Sequence, residues 1–341
     1  MKLLVNKLRI VLSFFFCTLS ISVFAQKEAY NWVLGSNVKL DFNTFPPTFS
    51  PLKFGNAKTP NIAYNVESST AVSDAAGQLL FYTTGQYLYN GWTDAIVDST
   101  LATSLDASQG NVVIPMKSDP NKFMVFTVDA TSNLSPYNCT GVVQWGSNRG
   151  SNYYVVTVNK TTKTINVSAK TNIISTNVIE GQTACPTNID GVFWYVIHEV
   201  SNNRFKVYKV DTRIATPTVT FDHNVDIGTA FGGCSYINLK FNSCYTQLAV
   251  AFPGTKDNVT VYDFNTTTGD ISKPQFFSIP GAYGLEFSNR DVSGKSYFYV
   301  AQNEIPAPKI YRGAVSSTGM VSIPTAFASL GTNPDDGIDK T

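Results

Sequence analysis

The apolar positions of this chain fall in short runs that return in the same setting. A turn of Asp, Asn, Ser or Gly leads into an aromatic or β-branched run, which ends in another turn. Clear copies are residues 73–83 (SDAAGQLLFYT), 119–129 (DPNKFMVFTVD), 189–200 (IDGVFWYVIHEV), 242–252 (NSCYTQLAVAF) and 291–302 (DVSGKSYFYVAQ). No window repeats apolar residues at i, i+3, i+4 and i+7 between caps, so the pattern predicts strands and almost no helix. Further strands are predicted at 111–116, 153–158, 164–168, 205–210, 218–221, 235–241, 259–264, 283–287 and 309–315. Asp190-Gly191, Thr268-Gly269-Asp270 and Ser293-Gly294 supply turn chemistry between them.

The copies centre near Tyr82, Phe126, Val196, Val250 and Tyr299, at steps of 44, 70, 54 and 49 residues. A propeller blade of four antiparallel strands takes about 40–50 residues. The expected fold class is therefore all-β: a β-propeller of roughly five to seven four-stranded blades, the last one incomplete. A β-sandwich would show less internal similarity, and a parallel β-helix a shorter period. The long step contains the Gly/Asn/Ser-rich stretch 138–150, which reads as an insertion or as a degraded extra blade. The propeller is assigned to 61–332. An N-terminal segment with a proline-rich irregular crossing, 26–60, precedes it, and a loop-like tail, 333–341, follows.

Residues 1–25 read as an export signal. Lys2, Lys7 and Arg9 precede an apolar stretch over 10–24, and Val23-Phe24-Ala25 meets the small-residue cleavage rule, leaving Gln26 as the new N-terminus. The stretch is shorter than the roughly 20 residues needed to span a bilayer. Secretion or display at the cell surface is expected, with no transmembrane segment after cleavage. Removing the signal leaves 22 Lys and Arg against 24 Asp and Glu. That near-neutral balance offers no electrostatic footprint for nucleic acid or anionic lipid.

Four cysteines follow the signal: Cys139, Cys185, Cys234 and Cys244. In an exported chain they are candidates for two disulfides, or for buried thiols. A strand over 235–241 would hold Cys234 and Cys244 roughly 20 Å apart, beyond the ~7 Å that a disulfide tolerates, which disfavours that pair. Their spacing does not suit zinc.

Candidate chemistry is sparse. The chain has no nucleophile elbow, no His-Glu-x-x-His, no phosphate loop and no dinucleotide fingerprint. His198 and Glu199 are strand neighbours and so face opposite sides, which makes His198 a structural histidine. His223 reads as a surface turn residue. Asp74, Asp129, Glu180 and Asp190 are the loop carboxylates that a glycoside hydrolase would use, although turn Asp residues ordinarily bond their own backbone. Asp335-Asp336-Gly337-Ile338-Asp339 lacks the full spacing of a calcium loop. No catalytic residue, metal or cofactor is expected. Tyr87, Tyr89, Trp92 and Trp145 are the candidate ligand-binding residues, because loop aromatics offer large area with a polar handle.

Several phrases resemble one family. Asn31-Trp32-x-x-Gly35-x-Asn37-x-x-Leu40-Asp41-Phe42 resembles the opening of large Bacteroidetes surface proteins. Further phrases of that family are matched, in order, by Ser73-Asp74-x-x-Gly77-x-Leu79-Leu80-Phe81-Tyr82-Thr83, by Trp194-x-x-x-His198 with Phe205-x-x-Tyr208, and by Tyr283-Gly284-Leu285-Glu286-Phe287-Ser288. The resemblance covers roughly residues 31–302. It implies a propeller-like N-terminal region of proteins in the type IX secretion, gliding-associated and adhesin-like group, and it implies no catalytic residues. The given sequence ends before any adhesive repeat or sorting domain of that family. The expectation is an exported, non-enzymatic interaction or adhesion module that binds a protein or glycan through inter-blade loops. The alternatives are a carbohydrate-active hydrolase or a structural spacer of a larger surface protein.

Overall fold

The structure is a computed structural model. It describes residues 27–34, 38–52, 68–85, 87–103, 107–128, 150–174, 178–200, 202–230, 237–252, 258–289, 296–302, 308–315 and 325–329. The described residues form six small antiparallel sheets arranged as the blades of a propeller. Blade one is three-stranded: β1 (Asn31–Leu34), β2 (Val38–Asp41) and β3 (Thr48–Pro51). Blade two holds β4 (Ser69–Ser73), β5 (Leu79–Thr84), β6 (Tyr87–Asn90) and β7 (Ile96–Asp98). Blade three holds β8 (Asn111–Pro115), β9 (Lys122–Val128), β10 (Ser151–Asn159), β11 (Thr164–Val167) and β12 (Thr171–Ile174). Blade four holds β13 (Val178–Pro186), β14 (Val192–Glu199), β15 (Arg204–Asp211) and β16 (Thr218–Asp226). Blade five holds β17 (Asn238–Phe241), β18 (Gln247–Ala251), β19 (Val259–Phe264) and β20 (Ile271–Phe277). Blade six holds β21 (Ala282–Phe287), β22 (Ser296–Gln302), β23 (Lys309–Val315) and β24 (Thr325–Ser329).

All five repeat copies supply the second strand of a blade. Two features differ from the sequence reading. Residues 31–51, assigned to an N-terminal segment and the start of an irregular crossing ahead of the propeller, build blade one. Its prolines are tolerated because β3 is an edge strand, where a missing N–H costs no ladder bond. Among the described residues the 70-residue step adds no extra blade: β9 and β10, on either side of 129–149, pair directly as antiparallel neighbours in one sheet. β11 and β12 then follow one another along the opposite edge of β10.

The first strands of successive blades touch in order, from β1 to β4, β8, β13, β17 and β21, so they lie innermost. Asparagines at their starts lace neighbouring blades. Asn31 Nδ2 donates to Ser73 Oγ (3.0 Å) and Gly77 O (2.8 Å), Asn111 Nδ2 to Ser68 O (3.1 Å), and Asn238 Nδ2 to Tyr283 O (2.8 Å).

Stability comes from apolar seams between blades. Val33 and Leu52 meet Leu79, Tyr82 and Tyr89 between blades one and two. Leu80, Phe81 and Leu88 meet Phe123, Val125 and Val156 between two and three. Met124 and Phe126 meet Tyr195 and Ile197 between three and four. Trp194, Val196 and Phe205 meet Leu248, Val250 and Tyr262 between four and five. Ala249, Ala251 and Val261 meet Leu285, Phe298 and Val300 between five and six. Each large side chain buried here contributes about 1.5–3 kcal/mol. Six blades in a ring have a sixth seam, between blades six and one. Among the described residues no apolar cluster spans it.

Candidate functional site

In an up-and-down blade whose first strand is innermost, the first and third turns lie at one end of the strands. The second turn and the crossing to the next blade lie at the other. In blades two to five the first and third turns take four to six residues each. The opposite end carries the long connections, among them 99–110, 129–150 and 227–237. The propeller therefore has a tight end and a loop-rich end.

At the loop-rich end, Ser108 and Gln109, just before β8, reach across to blades four and five. Ser108 N–H donates to Glu180 Oε2 (2.8 Å) and Ser108 Oγ to Ile237 O (3.1 Å). Gln109 reaches past blade four and pairs with Leu239 as a strand would: its Nε2 donates to Leu239 O (2.9 Å) and its Oε1 accepts Leu239 N–H (2.6 Å). Gln182 Nε2 donates to Gly110 O (2.8 Å), while its Oε1 accepts the Tyr195 hydroxyl (2.7 Å), which in turn lies 2.9 Å from Ser151 Oγ. Burial pushes the Tyr195 phenol well above its ordinary pKa, so it stays protonated and donates. Gly181 lies between these polar partners because the first strands close tightly there. A Cβ at Gly181 would collide with the Leu239 and Ile237 side chains and lie 2.7 Å from Ile237 O. The network satisfies polar groups that burial would otherwise leave costly.

Sequence reasoning named Glu180 but missed Ser108, Gln109 and Gln182. The available signal was polar residues breaking an inner-strand run, as in Val178-Ile179-Glu180-Gly181-Gln182. Among the described residues Glu180 is the one buried carboxylate.

The other candidate carboxylates lie apart from it. Asp74 occupies the tight β4–β5 turn, where its Oδ1 accepts N–H from Ala76 and Gln78 (both 3.0 Å) and its Oδ2 pairs with Lys160 (3.1 Å). Partial burial pushes its pKa up, but those N–H groups and the Lys160 ammonium outweigh it and hold the carboxyl below the usual range. Asp190 lies exposed in the tight β13–β14 turn, 2.7 Å from Lys117 Nζ. Asp129 lies outside the described residues. A strand of blade length, roughly 15 Å or more, separates the tight-turn carboxylates from Glu180 at the other end.

The aromatic candidates do not converge. Tyr89 is buried with its ring stacked on Tyr82 (4.9 Å), and half-buried Tyr87 lies 6.2 Å from Tyr89 in the same seam. Trp92 belongs to the tight turn after β6 and packs against the seam between blades two and three. Tyr87 and Trp92 therefore lie at opposite ends of β6. Trp145 lies outside the described residues.

Cys185 and Cys244 are free thiols, so the expected two-disulfide framework is not formed at these positions. Cys185 sits instead in the seam between blades four and five, where burial raises its pKa far above that of a reactive thiol. Cys139 and Cys234 lie outside the described residues.

His198 is fully buried, edge-on to Phe205 (4.6 Å), with Nδ1 2.5 Å from the Glu199 carbonyl oxygen. Burial lowers its pKa to about 3, so the ring is neutral. Glu199, on the other face of β14, pairs with Lys206 (2.8 Å). His223 stands on β16 with Nδ1 2.8 Å from Asp222 Oδ2 and Nε2 3.7 Å from Asp270 Oδ1. It bridges the outer strand of blade four to a turn of blade five.

No family model and no curated protein matches the chain. Solved structures do. A Lactobacillus plantarum protein shares 14% identity at a TM-score of 0.41, over 76% of this chain and 64% of its own. The exo-β-1,3-galactanase of Phanerochaete chrysosporium shares 11% at 0.39, over 67% and 51%. An auxiliary nutrient binding protein of Bacteroides thetaiotaomicron shares 12% at 0.37, over 74% and 60%. The chain thus spans about half the length of the galactanase. At these identities no activity carries across.

Proposed function

We propose that this protein is an exported, non-enzymatic interaction module that binds a protein or glycan partner at the loop-rich end of the propeller. The asymmetry of the two ends supports this reading. Turns of four to six residues close the tight end of blades two to five, whereas the other end carries connections such as 129–150. Long connections on a rigid scaffold are where binding residues concentrate. The 129–150 connection also carries Trp145. The polar network of Ser108, Gln109, Glu180 and Gln182 gives that end a fixed floor. The signal-like first 25 residues support export, and the resemblance to the gliding-associated group supports a role at the cell surface.

A printed glycan array and a set of immobilised extracellular proteins, with every ligand assayed for turnover, test the reading. Binding without turnover is expected, abolished when 130–148 are replaced by a short Gly-Ser link. Turnover that disappears in Glu180→Gln would replace it with the hydrolase reading. No binding at all would leave the spacer. N-terminal sequencing of the exported chain is expected to begin at Gln26.

A further inference from the structure

Two neighbouring seams end differently at the loop-rich end. Asn111 and Gln182 hold the same place in blades three and four: each lies on an innermost strand, opposite Thr127 and Ile197 of the second strand. Each amide donates back to the residue that leads into the preceding part of the ring, Asn111 Nδ2 to Ser68 O (3.1 Å) before β4 and Gln182 Nε2 to Gly110 O (2.8 Å) before β8. In blade four the protein also satisfies the amide oxygen. Gln182 Oε1 accepts the Tyr195 hydroxyl (2.7 Å), two residues before Ile197. In blade three the matching residue, two before Thr127, is Val125, which brings no hydroxyl. Among the described residues no donor meets Asn111 Oδ1, although it is buried.

Two more buried oxygens close the same seam. Among the described residues Thr83 Oγ1 and Thr127 Oγ1 have no hydrogen-bond partner, and both side chains are fully buried. Phe81 packs on Phe123 of blade three (5.4 Å), so Thr83, two residues on, also faces blade three. Val125 lies in that seam and Phe126 stacks on Tyr195 of blade four, so Thr127 faces blade two. Asn111 is the register partner of Thr127. Thr70, the register partner of Thr83, donates to Asn111 O (3.3 Å). The two cross-strand pairs therefore meet at the loop-rich end of the seam between blades two and three. Cross-strand Cβ atoms lie about 4.5–5.5 Å apart, a spacing that lets one small molecule reach both members of a pair.

We infer that this end of the seam is an internal hydration site, where one ordered water is bound by Thr83, Asn111 and Thr127. Hydrogen counting selects the ligand. Asn111 Oδ1 can only accept, because Nδ2 is spent on Ser68. Each threonine hydroxyl carries a hydrogen that needs an acceptor. A water offers two lone pairs to the threonine hydrogens and one O–H to Asn111 Oδ1, about three bonds, the usual number for a buried water. A metal ion would leave both hydroxyl hydrogens without an acceptor. It would also lack a counter-charge, since Glu180, the one buried carboxylate among the described residues, takes the Ser108 N–H instead. The water does in this seam what the Tyr195 phenol does in the next. Beside it, Ser68 Oγ donates to Ala107 O (2.6 Å) and holds the segment that carries Ser108 and Gln109 to blades four and five. The site thus belongs to the floor of the loop-rich end, and it stands whether or not a partner binds above.

The sign of two nearly isosteric substitutions tests the site. With water bound, Thr83→Val and Thr127→Val each remove a bond to it, and the urea midpoint should fall. The double variant should fall by less than the sum of the two, because the shared water is lost once. With bare hydroxyls, each valine would remove an unsatisfied buried group and raise the midpoint, which overturns the inference. Strictly additive losses would also overturn it, since the two hydroxyls would then share no ligand. Two measurements need no variant. A high-resolution crystal structure is expected to show one water within about 2.7–3.2 Å of all three oxygens, and its absence there would sink the proposal. Urea midpoints in sodium, potassium and choline chloride at equal ionic strength should coincide. A midpoint raised by sodium or potassium alone would assign the oxygens to a monovalent cation instead.

Discussion

Blades five and six carry second strands of nearly the same apolar character but of opposite standing. Gln247–Ala251 is buried at every position. Ser296–Gln302 is buried only at alternate positions. The difference lies in the number of neighbours. β18 is filled from blade four through Leu248 and Val250, and from blade six through Ala249 and Ala251. Among the described residues β22 joins an apolar cluster only on its blade-five side, through Phe298 and Val300, while its other face is half-buried, with Arg312 over the Tyr297 ring. In a ring of small sheets no blade owns a core; each holds two half-seams, and a blade with one filled half-seam exposes the other face. Whether a face of a second strand is buried thus depends on whether a neighbouring blade covers it.

The sharpest way to break this comparison is to empty the filled side of blade six. Phe298 is fully buried beside Phe277 (5.9 Å) and Phe287 (6.2 Å). Phe298→Ala is expected to cost about 3–5 kcal/mol, the usual range for a phenylalanine cavity, read as a lower urea midpoint. Tyr299→Ala, one residue on, should cost under about 1 kcal/mol. Equal losses would mean that both faces of β22 are packed in solution. A second test overfills a two-sided blade. Gly181→Ala forces a methyl against Leu239 and Ile237 and should cost about 1–3 kcal/mol. A neutral outcome would show that the inner strands of blades four and five part easily.

The fold was legible because its signal is local and repeated. Residues such as Leu80-Phe81-Tyr82 or Val196-Ile197 mark second strands directly, and turn chemistry sets the hairpins. Blade one was not legible, since its strands are four residues long and Pro46, Pro47 and Pro51 mask their pattern. Nor was the difference between the two faces of β22, because the run Tyr297-Phe298-Tyr299-Val300-Ala301 is apolar at every position and does not say which face packs in a seam. The site was least legible. Tyr89 in sequence resembles a loop aromatic, yet Tyr82 covers its ring. Trp32, named only as part of a phrase, is the exposed one. The axial partners Gln109 and Leu239 are 130 residues apart, and no local pattern pairs them.

Two-sided burial also sets the response to acid. His198 lies at the end of β14, and burial holds its folded pKa at about 3, against about 6.5 in an unfolded chain. Between those values the unfolded state binds the extra proton, so stability is fully present above pH ~6.5 and falls as pH drops toward 3. The slope is about 1.4 kcal/mol per pH unit while His198 dominates. Asp74, Glu199 and Asp211 have lowered pKa values and add their losses only below the ordinary carboxylate range. Urea midpoints between pH 6.5 and 5 therefore isolate the histidine. His198→Gln should flatten the slope in that window; an unchanged slope would mean that water reaches the ring in solution.

The smallest expected effect is the most discriminating. Phe49→Ala removes a large apolar side chain, which inside a filled seam would cost several kcal/mol. On the outward face of blade one it should cost within about 0.5 kcal/mol, as for surface substitutions that touch no special feature. The same holds for its neighbour Pro51 at the strand edge, exposed like Phe49. A loss of several kcal/mol for Phe49→Ala would show that blade six or another element closes on blade one in solution, making the sixth seam a sixth core. A negligible loss, with the Phe298→Ala cost intact, would establish that the two end blades are packed on one face only.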